Sequence, residues 1–392
     1  MPHISKRFSR ISESKTVALN SVMAKMKREG KDVVGLGAGE PDFDTPEHIK
    51  RAAIKAIQDG FTKYTPADGM FELKTAIAEW LFSERSVRYE PNQIVITCGA
   101  KHAVYESICA VCDPGDEVIL PAPYWVSYPE QIKLAQAHIK IIEASPEYGL
   151  KVTAEQLKQN ITKKTRLLVL NSPSNPSGAV YSKAELSELA DVIADSGIYV
   201  LSDEIYDQIV FDDVQYASMT DFKEKLGDQL IYINGVSKSF AMTGWRIGFL
   251  AAHADIATAV KKYQGHSTSN PSSISQKAAF SGYVEDKLFI REMCDAFQKR
   301  RDFVLERLNA IPNVKCMQPK GAFYAFPDFS AYYGKKVSSS LEFCGYLLQE
   351  YNVAIVPGVA FGMDAHARLS FATSMDNLKK ALARIEAGIR AL

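Results

Sequence analysis

Lys238 stands in the run NGVSKSFAMTGWRIGF, between two serines and just past the apolar stretch LIYING. A lysine among small polar and apolar residues suits neither a solvated surface nor a core. It does suit an amine whose pKa is lowered so that it attacks a carbonyl. Ser237 beside it and Arg246 eight residues on offer donors for a phosphate, the arginine as a fixed fork. Plain surface solvation of Lys238 is the competing explanation for this segment taken alone.

Other apolar runs end in equally unusual groups. IYVLSDEIYD puts Asp203 at the end of a very apolar stretch, with Tyr206 one turn on. An unpaired buried carboxylate is costly, so Asp203 requires either a structural salt bridge or a cationic ligand such as a protonated ring nitrogen. In RLLVLNSPSNPSG, prolines hold Asn175 in a loop that could simply turn the chain or present an amide to a ligand. IVITCGAKHAV runs into Gly99 and Ala100 before a helix begins near Lys101, where free N–H groups suit a phosphate, although it is neither a Walker A nor a G-x-G-x-x-G pattern. PYWVSYP offers Trp125 as a flat apolar face or as a core residue. ARLSFA places Arg368 between apolar residues, where it needs an internal partner or a bound carboxylate. A lysine for an imine, an Asp for a pyridinium nitrogen, Asn and Tyr for a phenolate, phosphate donors and an aromatic lid together describe a pyridoxal 5'-phosphate site.

The elements that must position these groups are legible as periodicity. IVITCG, EVILPA, RLLVLNSP, IYVLSDE and LIYING read as strands that are apolar throughout, as strands covered on both faces are. Residues 49–57 and 71–82 have helical spacing. Strand–helix–strand order predicts an α/β fold with a mainly parallel sheet, whose strand ends are where ligands bind. After about residue 287 a long charged helix over 288–310 leads to short strands at GAFYAF, VAIVPG and ARLSFA and a closing helix from Met375, which reads as a smaller α/β domain.

The 392 residues carry 46 Lys+Arg against 46 Asp+Glu, so no net field draws nucleic acid or an anionic membrane. With 46% hydrophobic and 23% charged residues the chain is neither disordered nor a fibrous repeat. Six scattered cysteines make no disulfide framework, and the pair Cys109 and Cys112 lies in what reads as a core helix rather than a zinc or redox site. No metal site is expected. MPHISKRFSR lacks the apolar core of a signal peptide and no apolar run reaches membrane-spanning length, so a cytoplasmic protein is expected.

With these residues in view, the sequence resembles the class I aminotransferases of pyridoxal-phosphate fold type I, and within them the bacterial aspartate aminotransferase branch. GAGEPDFDTP, KYTPADG, PYWVSYP, NSPSNPSG, SDEIYD, SKSFAMTGWRIG and VPGVAFG match in order, and the resemblance extends over 37–368. It implies a large cofactor-binding domain (46–290) with a sheet of the seven-stranded type. It also implies a small domain from both chain ends (1–45 and 291–392), and a homodimer with active sites at the interface. Lys238 is then similar to the Schiff-base lysine and proton shuttle, and Asp203 to the partner of the ring nitrogen. Asn175 and Tyr206 match the residues bonding the ring oxygen. Ser237, Arg246 and the backbone of Gly99 and Ala100 match the phosphate cup, with Tyr64 reaching a neighbouring subunit's phosphate. Trp125 would stack on the ring, and Arg368 with the Gly39 backbone would hold the substrate α-carboxylate. Lys101 and Thr16 match positions that meet the distal carboxylate of acidic substrates.

Ser174 and Ser177 depart from the more usual Asn and Thr, and Ala100 stands where Gly or Ser is frequent; none removes a group that does chemistry. The implied reaction moves an amino group between L-aspartate or L-glutamate and a 2-oxo acid. Prephenate or aromatic amino acids are the alternative substrates, and a lyase on the same scaffold is a further rival. A non-catalytic regulator domain is also conceivable; regulators of this resemblance carry an added DNA-binding segment, for which no room is expected before Ser12.

Overall fold

The computed structural model describes residues 4–6, 8–13 and 15–392, the side chains of 15–18 and 20 excepted. Its strands are β1 (Val34–Gly35), β2 (Ile94–Thr97), β3 (Glu117–Ala122), β4 (His138–Glu143), β5 (Thr165–Asn171), β6 (Tyr199–Asp203), β7 (Leu230–Gly235), β8 (Gly248–Ala251), β9 (Tyr324–Ala325), β10 (Val353–Ala354), β11 (Val356–Pro357) and β12 (Ala367–Ser370). Seven of them form one sheet in the order β2-β8-β7-β6-β5-β3-β4. Every neighbouring pair is parallel except those of β8, which runs antiparallel to β2 and β7. The expected α/β architecture with a mainly parallel seven-stranded sheet is what the chain adopts.

The unbroken apolar runs follow from cover on both faces. Val118, Val169, Leu201 and Ile231 pack on one side with Val104 and Ile108. Their neighbours Ile119, Leu168, Val200 and Leu230 pack on the other with Leu186, Leu189 and Ile193. Successive strand residues point to opposite faces, so a strand buried on both must be apolar at each position. The crossover helix Lys183–Ser196 is bounded by local chemistry. Ser182 and Glu185 cap each other's backbone N–H at its start, and Gly197 closes it at φ 72°. These two signals fix where β6 begins and hence where Asp203 ends.

Two strands of the sheet were not expected from pattern. β4 (HIKIIE) lies at the sheet edge with exposed His138 and Glu143, so its polar residues interrupt the apolar run. β8 has only four residues and follows a single turn of 3₁₀ helix, too little for a periodic signal.

The remaining strands make two small sheets. β11, β12 and β9 are antiparallel in that order, and β1 pairs in parallel with β10, Val34 opposite Val353. The N-terminal segment is therefore stitched to the C-terminal part of the chain. Helices Leu288–Asn309, Ser340–Tyr351 and Met375–Arg390 flank these sheets. Arg301, on the first of them, is fully buried and ion-paired: both Nη atoms reach Asp212 at 2.6 Å, and Nε and Nη2 reach Asp302 at 2.9 and 2.6 Å. Among the described residues no helix is long and apolar enough to cross a membrane, and no cluster of metal-ligating side chains occurs.

Candidate active site

A cavity of about 440 Å³ opens where the C-terminal ends of β5, β6 and β7 meet the small sheets. Asp203 closes β6 and is buried at its floor. Tyr128 donates its hydroxyl to Asp203 Oδ2 at 2.7 Å, and the Ile205 amide donates to Oδ1 at 3.3 Å. Burial pushes the Asp203 carboxyl up to about 6, with these two donors and Lys238 pulling the other way. Lys238 follows β7 and aims into the same space, where its Nζ donates to the Gly39 carbonyl. Burial lowers its amine to about 8; Glu40 opposes that shift, while Arg246 and Arg368 reinforce it. Its Nζ lies 5.9 Å from the centre of the Tyr206 ring.

One wall is suited to an anion. The helix Ala100–Val111 starts at Gly99, φ 85°, so the free N–H groups of its first turn face the cavity edge with Ala100 and Lys101. A Cβ on Gly99 would overlap the Arg246 guanidinium, and one on Gly248 in β8 would overlap the Ala100 nitrogen. Both absences let backbone, arginine and sheet close around one small volume. Arg246 is itself anchored by the carbonyls of Thr243 (3.0 Å) and Cys98 (3.3 Å), and Ser237 lies in the same lining.

The opposite wall comes from the small antiparallel sheet. Arg368 on β12 is buried, and its acceptors are neutral: Asn175 Oδ1 at 2.9 Å and the Gly37 carbonyl at 2.7 Å. Its Nε is buried and has no partner. Asn171 holds the Asn175 loop in place, accepting from the Asn175 amide and donating to the Asp203 carbonyl. Trp125 packs edge-on against Tyr128 with ring centres 5.2 Å apart, and the Lys101 amine lies 5.0 Å from the Trp125 ring. Burial and Arg246 lower the Lys101 pKa.

Of the residues singled out from sequence, Gly39, Ala100, Lys101, Trp125, Asn175, Asp203, Tyr206, Ser237, Lys238, Arg246 and Arg368 line this one cavity, and Gly99 stands directly behind it. Tyr64 does not: it is 89% exposed on a loop away from the lining. The Thr16 side chain lies outside the described residues. Asn171, which the RLLVLNSPSNPSG run places at the end of its strand, also belongs to the lining, as do three residues not singled out: Tyr128, Glu40 and Tyr324. Tyr128 stands within PYWVSYP and Tyr324 within GAFYAF, but a tyrosine in an apolar stretch looks like any core aromatic until its hydroxyl's partner is known.

Fold and cavity are those of an α/β enzyme with a half-buried amine at the end of its central sheet. A sequence model of the family described as "Aminotransferase class I and II" matches residues 31–385. The aspartate aminotransferase of Bacillus sp. (strain YM-2) is 44% identical over 98% of both chains. The aspartate/prephenate aminotransferase of Cereibacter sphaeroides is 43% identical over 99% of this chain and 98% of its own. Among solved structures, the aspartate aminotransferase of Rhizobium meliloti superposes with a TM-score of 0.96 at 42% identity, covering 100% of this chain and 99% of its own. That of Thermus thermophilus with maleate gives 0.94 at 38% identity, covering 99% and 100%. The chain belongs to the class I and II aminotransferases and is a transaminase.

Proposed function

We propose that this enzyme moves the amino group between L-aspartate, or L-glutamate, and a 2-oxo acid, with pyridoxal 5'-phosphate as its cofactor. One observation supports this most directly. Lys238, Asp203 and Arg368 share a cavity, and each has only neutral hydrogen-bond partners. Charges this far out of water, none in hydrogen-bonding contact with an opposite charge, are costly unless a ligand completes them. The aspartate aminotransferase names of the relatives agree with an acidic substrate.

The donor set fits pyridoxal phosphate. An anion cradle at Gly99, Ala100, Ser237 and Arg246 suits its phosphate, and the buried Asp203 suits its ring nitrogen. Asn175 and Tyr206 would hold its phenolic oxygen, and Trp125 would cover the ring. When bound, the cofactor supplies an aldehyde for amines and a ring that withdraws electrons from the substrate α-carbon. Lys238 Nζ, with its amine near 8, is the base that takes the α-proton and returns it. Asp203 stays anionic through neutral pH with its carboxyl near 6. The orphaned Nε of Arg368 and its two Nη atoms would grip the α-carboxylate beside the Gly39 carbonyl-bearing loop. Lys101 would meet the distal carboxylate, together with Thr16.

The same reading makes the chain a cytoplasmic homodimer in which 46–290 binds the cofactor, while 1–45 and 291–392 form the part that carries Arg368. The β1–β10 pairing favours that division, and the exposed Tyr64 favours a partner subunit's phosphate as its contact. A second reading, prephenate or aromatic amino acids as substrates, is favoured by relatives named aspartate/prephenate aminotransferase. A neighbouring space of about 620 Å³, bordered by Lys101, Tyr105, Tyr124 and Arg246, gives room for a ring.

The test is reconstitution. The purified chain with added pyridoxal phosphate is expected to turn yellow, and borohydride should bleach it and fix the label on Lys238. A panel of aspartate, glutamate, prephenate and oxaloacetate then ranks the substrates, with oxo-acid product measured against ammonia and CO₂ to exclude a lyase. Label on another lysine, or no label, overturns the assignment.

A further inference from the structure

Tyr324 lies on β9, the strand that pairs with β12 and so with Arg368. It is fully buried, and its hydroxyl stands 2.8 Å from that of Tyr206, which belongs to the large sheet's end. The Arg368 guanidinium covers its ring at 4.4 Å from the centre. A Cβ on Gly39 would come within 3.1 Å of its oxygen. The hydroxyl is thus enclosed by Gly39, Tyr206 and Arg368, and among the described residues Tyr206 is its phenolic partner.

Two phenols in contact share one hydrogen, and the more acidic one donates. Arg368 lies over Tyr324 and favours loss of its proton. Tyr206 also feels Arg368, but it faces the Asp203 carboxylate, which opposes ionisation. Glu40 opposes ionisation of Tyr324, and the Lys238 amine, 5.9 Å from the Tyr206 ring centre, favours that of Tyr206; the direct cover of Tyr324 by Arg368 at 4.4 Å is set against both. With Tyr324 as the donor and Tyr206 as the acceptor, the hydrogen of Tyr206 is left free for a third oxygen inside the cavity.

We propose that Tyr324 is a positioning residue that donates to Tyr206, so that the Tyr206 hydrogen is directed at the phenolic oxygen of the cofactor. The proposal rests on the reading of the cavity as a pyridoxal-phosphate site. It makes the strand pair bearing Arg368 sense the cofactor through one hydrogen bond between the two sheets. Donation by Tyr206 stabilises the ionised phenolic oxygen, and donation by Tyr324 polarises Tyr206 and strengthens that bond.

The experiment compares wild type, Tyr324→Phe, Tyr206→Phe and the double variant, all loaded with pyridoxal phosphate. Each is titrated by visible absorbance against pH, and kcat and KM for aspartate are measured. Tyr324→Phe removes one oxygen and keeps the ring against Arg368. Its absorbance pKa should rise by about 0.5 unit, in the same direction as the larger rise in Tyr206→Phe. Its kcat should fall roughly threefold to tenfold, with KM within about twofold. In the Tyr206→Phe background, the Tyr324 substitution should move the absorbance pKa no further. An equal shift in both backgrounds, no shift at all, or a raised KM without a shift would each overturn the proposal. A wild type without a pH-dependent band after cofactor addition would overturn the cofactor reading as well, which separates the two failures.

Discussion

Arg301 and Arg368 are equally removed from water, at 1% and 2% exposure, yet their surroundings are opposite. Arg301 is met by two carboxylates, Asp212 and Asp302, within 2.9 Å. Arg368 is met by an amide oxygen and a backbone carbonyl, with Nε left over. Lys74 and Lys238 repeat the contrast: the first is held by Asp68 at 2.6 Å, the second by a carbonyl alone. A buried charge whose partner belongs to the chain is completed by folding. One whose partner is missing awaits a ligand, and both such cations open into the same cavity.

Substitutions can break that contrast. The largest effect is expected at Lys238, since the amine is the proposed base. Lys238→Ala should lower kcat by at least about 10³-fold with an unchanged melting temperature. Residual turnover near that of the wild type would sink the assignment. Arg368→Ala should cost about 3–5 kcal/mol of transition-state stabilisation, read as kcat/KM for aspartate, because a desolvated carboxylate is left unpaired. A loss below tenfold would place the carboxylate elsewhere. Arg301→Leu should do the reverse. Denaturant titration is expected to show a stability loss of about 2–3 kcal/mol, moderated by Lys320 remaining beside a partly exposed Asp212, with kcat/KM within about threefold. Catalytic collapse with intact stability would erase the distinction between the two arginines. Lys101→Met sharpens the contrast at its margin. It should reduce kcat/KM for aspartate roughly tenfold and that for an aromatic amino acid less than about threefold. Equal losses on both substrates would remove Lys101 from recognition of the distal carboxylate.

Much of the site was legible because a doubly covered parallel sheet leaves two kinds of signal. Its strands read as apolar runs, and the residues that end them stand out by chemistry: Asp203 after YVLS, Lys238 after LIYING, Asn175 after the RLLVLN strand. Arg368 was equally conspicuous, being a charge inside a short apolar strand. Tyr128 and Tyr324 gave no such contrast. Their importance lies in hydroxyl partners 75 and 118 residues away, which only the folded chain reveals. β4 and β8 were missed for local reasons, one being an edge with polar positions and the other too short to show a period.

Gly248 is not itself part of the cavity lining, yet the first turn of the Ala100–Val111 helix rests on the space where its side chain would be. Any larger residue at this strand position would lift that turn and tilt its amides away from an incoming anion. If the proposed cofactor binds there, the grip on its phosphate would be set partly by a hydrogen atom in the neighbouring strand, and bulk added at that position would loosen the hold without changing the chemistry of any group in contact with it.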